Sequence, residues 1–462
     1  MPGSRKERHT RASVLAWLDR RINFERAVPT AAPPGTFGLT RVRRLLAAVG
    51  QPHREFPVVH VAGTKGKGST VAMLAAVLQA AGHRVGRYMS PHVDALEERI
   101  CVGGRPISAA DLVRAFNVVI PAVEQMDQAA GRRGGSGPTW FEVLTAVAFV
   151  HFARSRVNLA VLETGLGGRL DATNVSIPVL SIITSISLDH MHLLGSTISR
   201  IATEKAGIIK RGCPVVSAAV HPAARRVIEE TAARRRAPLL QLGRDFQASY
   251  LPQNVGDSSA DPLAPGRVAV TFAGTHPDHA LVFPLVMRGG HQAINASLVV
   301  VAARSLNARG IPVPDRALAK GLRTVSLPAR IERISERPLV ILDAAHNVAS
   351  MESLVATLTP AARSFQPKVL LFAASADKQI EEMLAAARGH FDSIVITRYA
   401  TNPRAATVMQ LVDACRRAGL PAPQVATTPA EALRLARSLA TPSGLVCVAG
   451  SFFLAAEIRA AM

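Results

Sequence analysis

The chain has 462 residues, 48% apolar and 19% charged, and its 54 Lys and Arg against 33 Asp and Glu leave a formal net charge of +21. That length outruns one ordinary core and predicts two packed globular units, and no apolar run approaches the roughly 18 residues that cross a bilayer, which excludes a membrane-spanning helix. The positive balance points to an anionic partner or substrate, but aromatics at 4% and scattered basic runs (Arg41, Arg43 and Arg44; Arg132 and Arg133; Arg234 to Arg236) argue against nucleic acid, and most of the excess reads as solvated surface.

From the N-terminus, MPGSRKERHTRASVLAWLDRR is basic and lacks an apolar signal core, so a cytoplasmic chain is expected. Cys101, Cys213, Cys415 and Cys447 form no CxxC pair, so neither a zinc site nor a disulfide framework is indicated. Pro57 to Ala62, Leu159 to Glu163 and Val179 to Ile186 read as strands between helical stretches, the pattern of a parallel sheet covered by helices. Between about 238 and 288 the texture turns to short β-branched runs, Arg267 to Phe272 and Leu281 to Val286, which predicts a small antiparallel appendage with a loop at Pro252 to Gly266. A helix is expected over His291 to Arg309, and the Pro-containing stretch Ile311 to Pro328 reads as a hinge, so the domains are expected at 1–326 and 327–462. Beyond it Leu339 to Asp343, Val369 to Ala373, Ser393 to Thr397 and Leu445 to Ala449 alternate with helical stretches, a second α/β layout. The fold class is therefore α/β throughout, apart from the appendage.

The strongest chemical signal is VVHVAGTKGKGSTVAMLAAVLQAAG, an apolar strand, a Gly-rich turn and an amphipathic helix. Gly63, Gly66 and Gly68 let backbone N–H groups approach phosphates without a Cβ in the way, Lys67 can reach the terminal phosphates, and Ser69 and Thr70 supply hydroxyls. The strict pattern GxxxxGK[ST] is not met, because Gly68 separates Lys67 from Ser69. The alternative is a tight turn between strand and helix.

Next, LAVLETGLGGRLDATNV ends a strand on Glu163 and follows it with a glycine run, Arg169 and Asp171. A carboxylate at the carboxyl end of a parallel strand faces the ligand side of such a sheet, where a hard cation with phosphates is its natural partner; otherwise it is a surface Glu in a loop. The third strand ends in SLDHMHLLG, bringing Asp189, His190 and His192 to the same edge, as metal ligands or as hydrogen-bonded structural groups. In IATEKAGIIKRG, Lys205 is either an ordinary surface partner of a Glu or, if buried, an amine able to lose its proton and take up carbon dioxide as a carbamate. In the second unit, LPARIERISERPLVILDAAHN sets Arg330 at the entry and Asp343, His346 and Asn347 at a strand end, groups that could close over a nucleotide, although Asp343 could equally cap the next helix.

The ordered blocks GTKGKGST, SPHVDALEERI, TWFE, ETGLGGRLDATN, SLDHMHLLG, EKAGI, GGHQAINA, LPARIE and LDAAHN resemble the folylpolyglutamate synthase / dihydrofolate synthase family of the Mur ligase superfamily, from about residue 13 to the C-terminus. The resemblance implies an N-terminal P-loop ATPase domain of Mur ligase type with the β appendage and a Rossmann-like C-terminal ligase domain. It implies ATP contacts at Gly63, Thr64, Gly66, Lys67, Gly68, Ser69, Asn295, Arg330 and Asp343. Magnesium, expected as two ions, is implied at Ser90, Glu163, His190 and a carbamylated Lys205. Pterin-substrate contacts are implied at Thr139, Trp140, Phe141, Glu142, Leu170, Asp171 and Ala172, and Lys67, Lys205 and His346 are the expected catalytic residues. Lys65 departs from the Asn common in the family, and the stretch to Gly38 and the Gly131 to Pro138 loop are longer than in a minimal member.

The implied activity is ATP-dependent addition of L-glutamate to dihydropteroate, to folate glutamates, or to both, through an acyl phosphate, by a monomer acting on small molecules without nucleic acid or membrane. Two rivals share the ATP core: a Mur-type cell-wall ligase, against which TWFE and LDATN argue, and a P-loop regulatory or nucleic-acid-dependent ATPase.

Overall fold

The computed structural model describes residues 9–25, 37–132, 135–253, 261, 263–361 and 364–462. The basic residues before His9, Arg133, and parts of the Gly131 to Pro138 and Pro252 to Gly266 loops lie outside them. The described residues fall into two compact units, Met1–Gln247 with Phe272–Thr275 and Leu298–Gly321, and Ala248–Thr271 with His276–Ser297 and Leu322–Met462.

The first unit is built on a sheet of β1 (Val58–Ala62), β2 (Val85–Tyr88), β3 (Ile100–Val102), β4 (Arg105–Pro106), β5 (Leu159–Glu163), β6 (Leu180–Ile183), β7 (Val215–Ser217) and β8 (Leu239–Gln241), in the order β4-β3-β2-β5-β1-β6-β7-β8. Pairing is parallel from β2 to β8, and β3 and β4 add an antiparallel edge. Every residue of β1, β5 and β6 is buried, as expected of strands covered on both faces. The run Leu159 to Glu163 is a strand over its expected length, whereas the strand expected over Val179 to Ile186 stops at Ile183. Beyond it the Thr184 N–H still donates to the Ala62 carbonyl at 2.9 Å, while its hydroxyl donates to the Lys65 carbonyl at 2.6 Å and ties the end of β6 to the segment after β1.

The chain order matters for function. After β1 it crosses to β2 and returns with β5 to one side of β1, then passes to β6 on the other. This reversal brings the carboxyl ends of β5, β1 and β6 side by side, with Val61 opposite Glu163 and Ala62 opposite Ile183. Such a switch point leaves an open crevice where ligands bind.

The appendage contains β9 (Phe246–Leu251), β10 (Gly266–Phe272) and β11 (Leu281–Leu285), with β10 and β11 antiparallel. The described residues of 248–271 and 276–297 belong to the second unit, which is therefore wider than 327–462 alone. Leu263 joins the core of Ile331, Leu339 and Met351, Arg333 pairs with Asp261, and the Arg288 Nε–H donates to the Leu263 carbonyl.

The second unit carries β12 (Glu332–Glu336), β13 (Leu339–Leu342), β14 (Lys368–Phe372), β15 (Ser393–Ile396), β16 (Gln424–Val425) and β17 (Leu445–Ala449) in the order β12-β13-β17-β14-β15-β16. Only the edge strand β12 is antiparallel to its neighbour. Alternate residues feed cores on opposite faces, Leu370 and Phe372 on one, Val369 and Leu371 on the other, so both faces are covered. Among the described residues no helix is long and apolar enough to cross a membrane, and the four cysteines are free and buried.

Candidate active site

The segment after β1 has the geometry of a phosphate cradle. A Cβ on Gly63 would collide with the Thr184 side chain, so this position admits glycine alone. Gly66 is left-handed at φ 81° and starts the helix Lys67–Ala80 without any side-chain cap, leaving the first-turn N–H groups for an anion. Thr64 fixes the loop to the end of β6: its N–H donates to the Ser185 carbonyl at 2.7 Å, and its hydroxyl donates to the Ser187 carbonyl at 3.1 Å.

Two predicted groups, Glu163 and Lys205, meet this loop. The buried Glu163 carboxylate lies 4.0 Å from the Lys67 ammonium and accepts the Ser90 N–H at 3.2 Å, so it is no surface glutamate. The Gly68 position faces the carboxylate, since a Cβ there would make ordinary contact with Glu163 Oε2 at 3.5 Å. Lys205, in the last turn of the helix Ile198–Ala206, is 4% exposed and donates from Nζ to the Gly63 carbonyl at 2.8 Å. Burial, helped by the Lys67 charge, pulls its pKa down to about 7 against the attraction of Asp189, Asp171 and Glu204. The surface-lysine alternative is thereby ruled out; Glu204 pairs with Arg169 instead, at 2.8 Å. His190 follows β6 with left-handed backbone at φ 48°, its N–H donating to Asp189 Oδ1 at 3.0 Å.

Among the described residues no group of three or more His, Cys, Asp and Glu forms a ready metal cage. Magnesium does not demand one, since it binds through one or two carboxylates, waters and the substrate's phosphates. The donors present fit that chemistry. Glu163 supplies a buried carboxylate, and the buried hydroxyls of Thr70, Thr164 and Ser187, all on segments leaving β1, β5 and β6, have no hydrogen-bond partner, as around a site built for a polar occupant.

The expected substrate positions lie on two segments that touch. Phe141 packs its ring 5.8 Å from that of Tyr88, and a Cβ on Gly165 would meet it at 2.5 Å. Several polar atoms here are already engaged in holding the fold. Thr139 and Glu142 form a capping box on the helix Trp140–Arg154, with Glu142 also accepting from Arg41 at 3.1 Å. Asp171, buried and pushed up in pKa by that burial, accepts from Leu166 N–H at 2.9 Å and from the Thr173 hydroxyl at 2.5 Å, while the Thr173 oxygen lies 2.8 Å from His60 Nε2. Leu170 is half-buried and Ala172 buried beside it.

In the second unit Arg330, Asp343 and His346 meet. Arg330 lies 4.8 Å over the Phe452 ring, and the His346 ring is 5.5 Å from the same ring. Arg330 is flanked by left-handed Ala329 and Ile331, at φ 53° and 49°, and the Asp343 carboxylate holds that turn by accepting the Ile331 N–H at 3.0 Å and the Ala345 N–H at 2.8 Å. Asp343 is thus no helix cap; Asn347 caps Val348–Leu358. Asn295 is buried on the helix Gly290–Asn307 and donates to Gln292 at 3.0 Å.

One residue in the quoted blocks received no role from sequence. Arg99, the arginine of SPHVDALEERI, is buried at 2% exposure of its side chain and paired with Glu25 at 2.6 Å. A charged residue among polar neighbours gives no sign of burial, so only the structure reveals it.

Residues 329–452 match the family described as Mur ligase, glutamate ligase domain. The chain is 36% identical to the dihydrofolate synthase/folylpolyglutamate synthase of Bacillus subtilis, over 96% of this chain and 97% of that protein. Among solved structures it resembles Mycobacterium tuberculosis folylpolyglutamate synthase complexed with ADP, at TM-score 0.84 and 32% identity over 97% of each chain. It also resembles E. coli FolC in complex with DHPP and ADP, at TM-score 0.80 and 29% identity over 98% of this chain and 97% of that one.

Proposed function

The chain belongs to the dihydrofolate synthase/folylpolyglutamate synthase family, and from that premise we propose that it is an ATP-dependent ligase joining L-glutamate to dihydropteroate, to folate glutamates, or to both. The observation that carries this reading is the convergence of an uncapped phosphate loop, Lys67, buried Glu163 and buried Lys205 at three adjacent strand ends.

The chemistry follows from those positions. A carboxylate oxygen of the pterin substrate attacks the γ-phosphorus of ATP, the bond to the β-phosphate oxygen breaks, and ADP leaves. The glutamate amine then attacks the acyl carbon, the C–O bond to phosphate breaks, and the amine gives up a proton. Lys67 and the open N–H groups of the helix start stabilise the charge on the transferring phosphoryl group by preorganised electrostatics. Magnesium, proposed as two ions at Glu163, Ser90 and His190, would neutralise the phosphates when bound. Phe141 and the Leu170 to Ala172 segment are proposed to border the pterin, with Thr139, Trp140 and Glu142 shaping that wall. Asn295, Arg330, Asp343 and His346 are proposed as further nucleotide contacts.

Lys205 is proposed to carry a carbamate. The lone pair of its neutral amine attacks carbon dioxide, an N–C bond forms and one proton leaves to solvent, turning a cation beside Lys67 into an anion. The buried amine and its depressed pKa support this, because such an amine is largely uncharged slightly above neutral pH. Placement in the cytoplasm and a monomeric state belong to the same reading.

The test is ADP release with dihydropteroate or tetrahydrofolate, each with and without L-glutamate, alongside product mass. ADP release that needs both substrates, with a product heavier by one glutamyl unit, is expected. Stimulation by UDP-linked peptides or nucleic acid, with pteroates inert, would overturn the proposal.

A further inference from the structure

Arg99 ends the short helical turn Leu96–Arg99, and its guanidinium makes contacts in three directions. Both terminal nitrogens donate to Glu25, Nη1 to Oε1 at 2.8 Å and Nη2 to Oε2 at 2.6 Å. Nε donates to His92 Nδ1 at 2.8 Å, and the guanidinium carbon stands 4.9 Å over the Trp140 ring. Burial opposes its charge, but Glu25, with Tyr88 and Glu163 in support, keeps its pKa raised.

The three elements it ties together are far apart in sequence, and two of them, the Ser90–His92 turn and the Trp140–Arg154 helix, border the candidate site. His92 belongs to the turn that carries Ser90, whose N–H reaches Glu163 Oε2 at 3.2 Å, and the Arg99 carbonyl accepts the Met89 N–H at 3.0 Å on the same turn. Trp140 heads the helix that presents Phe141, and its own N–H donates to Ile22 at 3.0 Å, close to Glu25. A planar fork serves this role where an ammonium cannot, since it pairs bidentately, donates sideways through Nε and stacks on a ring at once.

We propose that Arg99 is a positioning residue for the ligation site, fixing the Ser90–His92 turn against Glu163 and the head of the Trp140–Arg154 helix. This rests on the reading of Ser90 and Glu163 as metal-side groups. Arg99 touches neither substrate in this role; it sets the distance at which the turn stands from the carboxylate.

The test uses Arg99→Ala and Arg99→Lys in a Trp17→Phe background, which leaves Trp140 as the lone tryptophan of the chain's two. Trp140 emission of the metal-free protein is measured first, then the affinity for the ATP analogue AMPPCP with and without magnesium, each with and without millimolar guanidinium. Arg99→Ala is expected to shift the emission and to weaken magnesium-dependent AMPPCP binding about tenfold or more, as the loss of charged buried hydrogen bonds does, with metal-free binding unchanged. Guanidinium should reverse both effects, and Arg99→Lys should restore binding only in part. Unchanged magnesium-dependent binding, or equal weakening with and without the metal, would overturn the proposal and mark Arg99 as a stability residue. If wild-type binding ignores magnesium, the metal reading itself fails, and an emission shift without guanidinium reversal then also rejects the clamp.

Discussion

Replacing Lys205 by Ala separates the cost of burying an amine from its use. In the wild type the amine is buried and its pKa stands at about 7 against an ordinary value of 10.5. Because the folded value is the lower one, the unfolded chain binds the extra proton between those limits. Stability therefore falls as pH drops from 10.5 toward 7, by at most about 1.4 kcal/mol per pH unit and about 5 kcal/mol in all. The variant escapes that penalty but leaves the Gly63 carbonyl, which accepted from Nζ at 2.8 Å, without its donor, a loss of about 1–3 kcal/mol. Lys205→Ala is thus expected to be as stable as the wild type at pH 7, or more so, and less stable relative to it at pH 10. Urea unfolding of metal-free protein across that range, in buffers purged of carbon dioxide, measures the difference. Ligation should nevertheless fall by about a hundredfold or more, the usual result of deleting a preorganised charge, with partial recovery in formate or acetate. A carbamate resonance in carbon-13 NMR of protein prepared with labelled bicarbonate should accompany the wild type alone. A variant that ligates normally, or whose stability tracks the wild type at every pH, would refute the reasoning.

Lys67→Ala should fold normally and lose about 3 kcal/mol of transition-state stabilisation, read as a fall in kcat of a hundredfold or more; near-normal turnover would reject the phosphate-loop assignment. Gly63→Ala should push the loop off the end of β6, lowering the thermal midpoint and abolishing nucleotide binding, because its Cβ collides with Thr184; adding Thr184→Gly should recover part of both, and wild-type binding by the single variant would contradict the geometry. His60, fully buried on β1, has its pKa pushed down to about 3 by burial and then by the Lys210 charge, so the unfolded state takes up the proton first and stability declines as pH falls from about 6.5 toward 3. His60→Gln should reduce that acid sensitivity in urea unfolding, and an unchanged pH slope would show that His60 is not its source.

Whatever a short stretch of chain can specify alone was readable. Gly63, Gly66 and Gly68 between an apolar run and an amphipathic helix mark a candidate phosphate loop locally, because glycine spacing and helix start are properties of consecutive residues. The strand end carrying Glu163 was legible for the same reason, through a short apolar run closed by turn residues, whereas His190 lies beyond the end of β6. That β5 and β6 flank β1, and so put Glu163 and the Thr184 to Ser187 segment against the loop, depends on which strands pair, and pairing is decided by the packing of the whole sheet. Lys205 read from sequence as easily a surface lysine, since nothing in EKAGI marks the side chain that turns inward. Asp343 read as easily a helix cap, but Asn347 satisfies the same donors, leaving Asp343 to hold the Arg330 turn. Thr139, Glu142 and Asp171 carry polar atoms that the fold itself consumes, and Arg99 gathers three distant segments under one guanidinium. The sequence by itself determined the local chemistry, meaning which backbone can bend and which groups are available. The tertiary structure decided burial, charge state and partnership, because desolvation and electrostatics depend on every group within a few ångströms, wherever in the chain it lies.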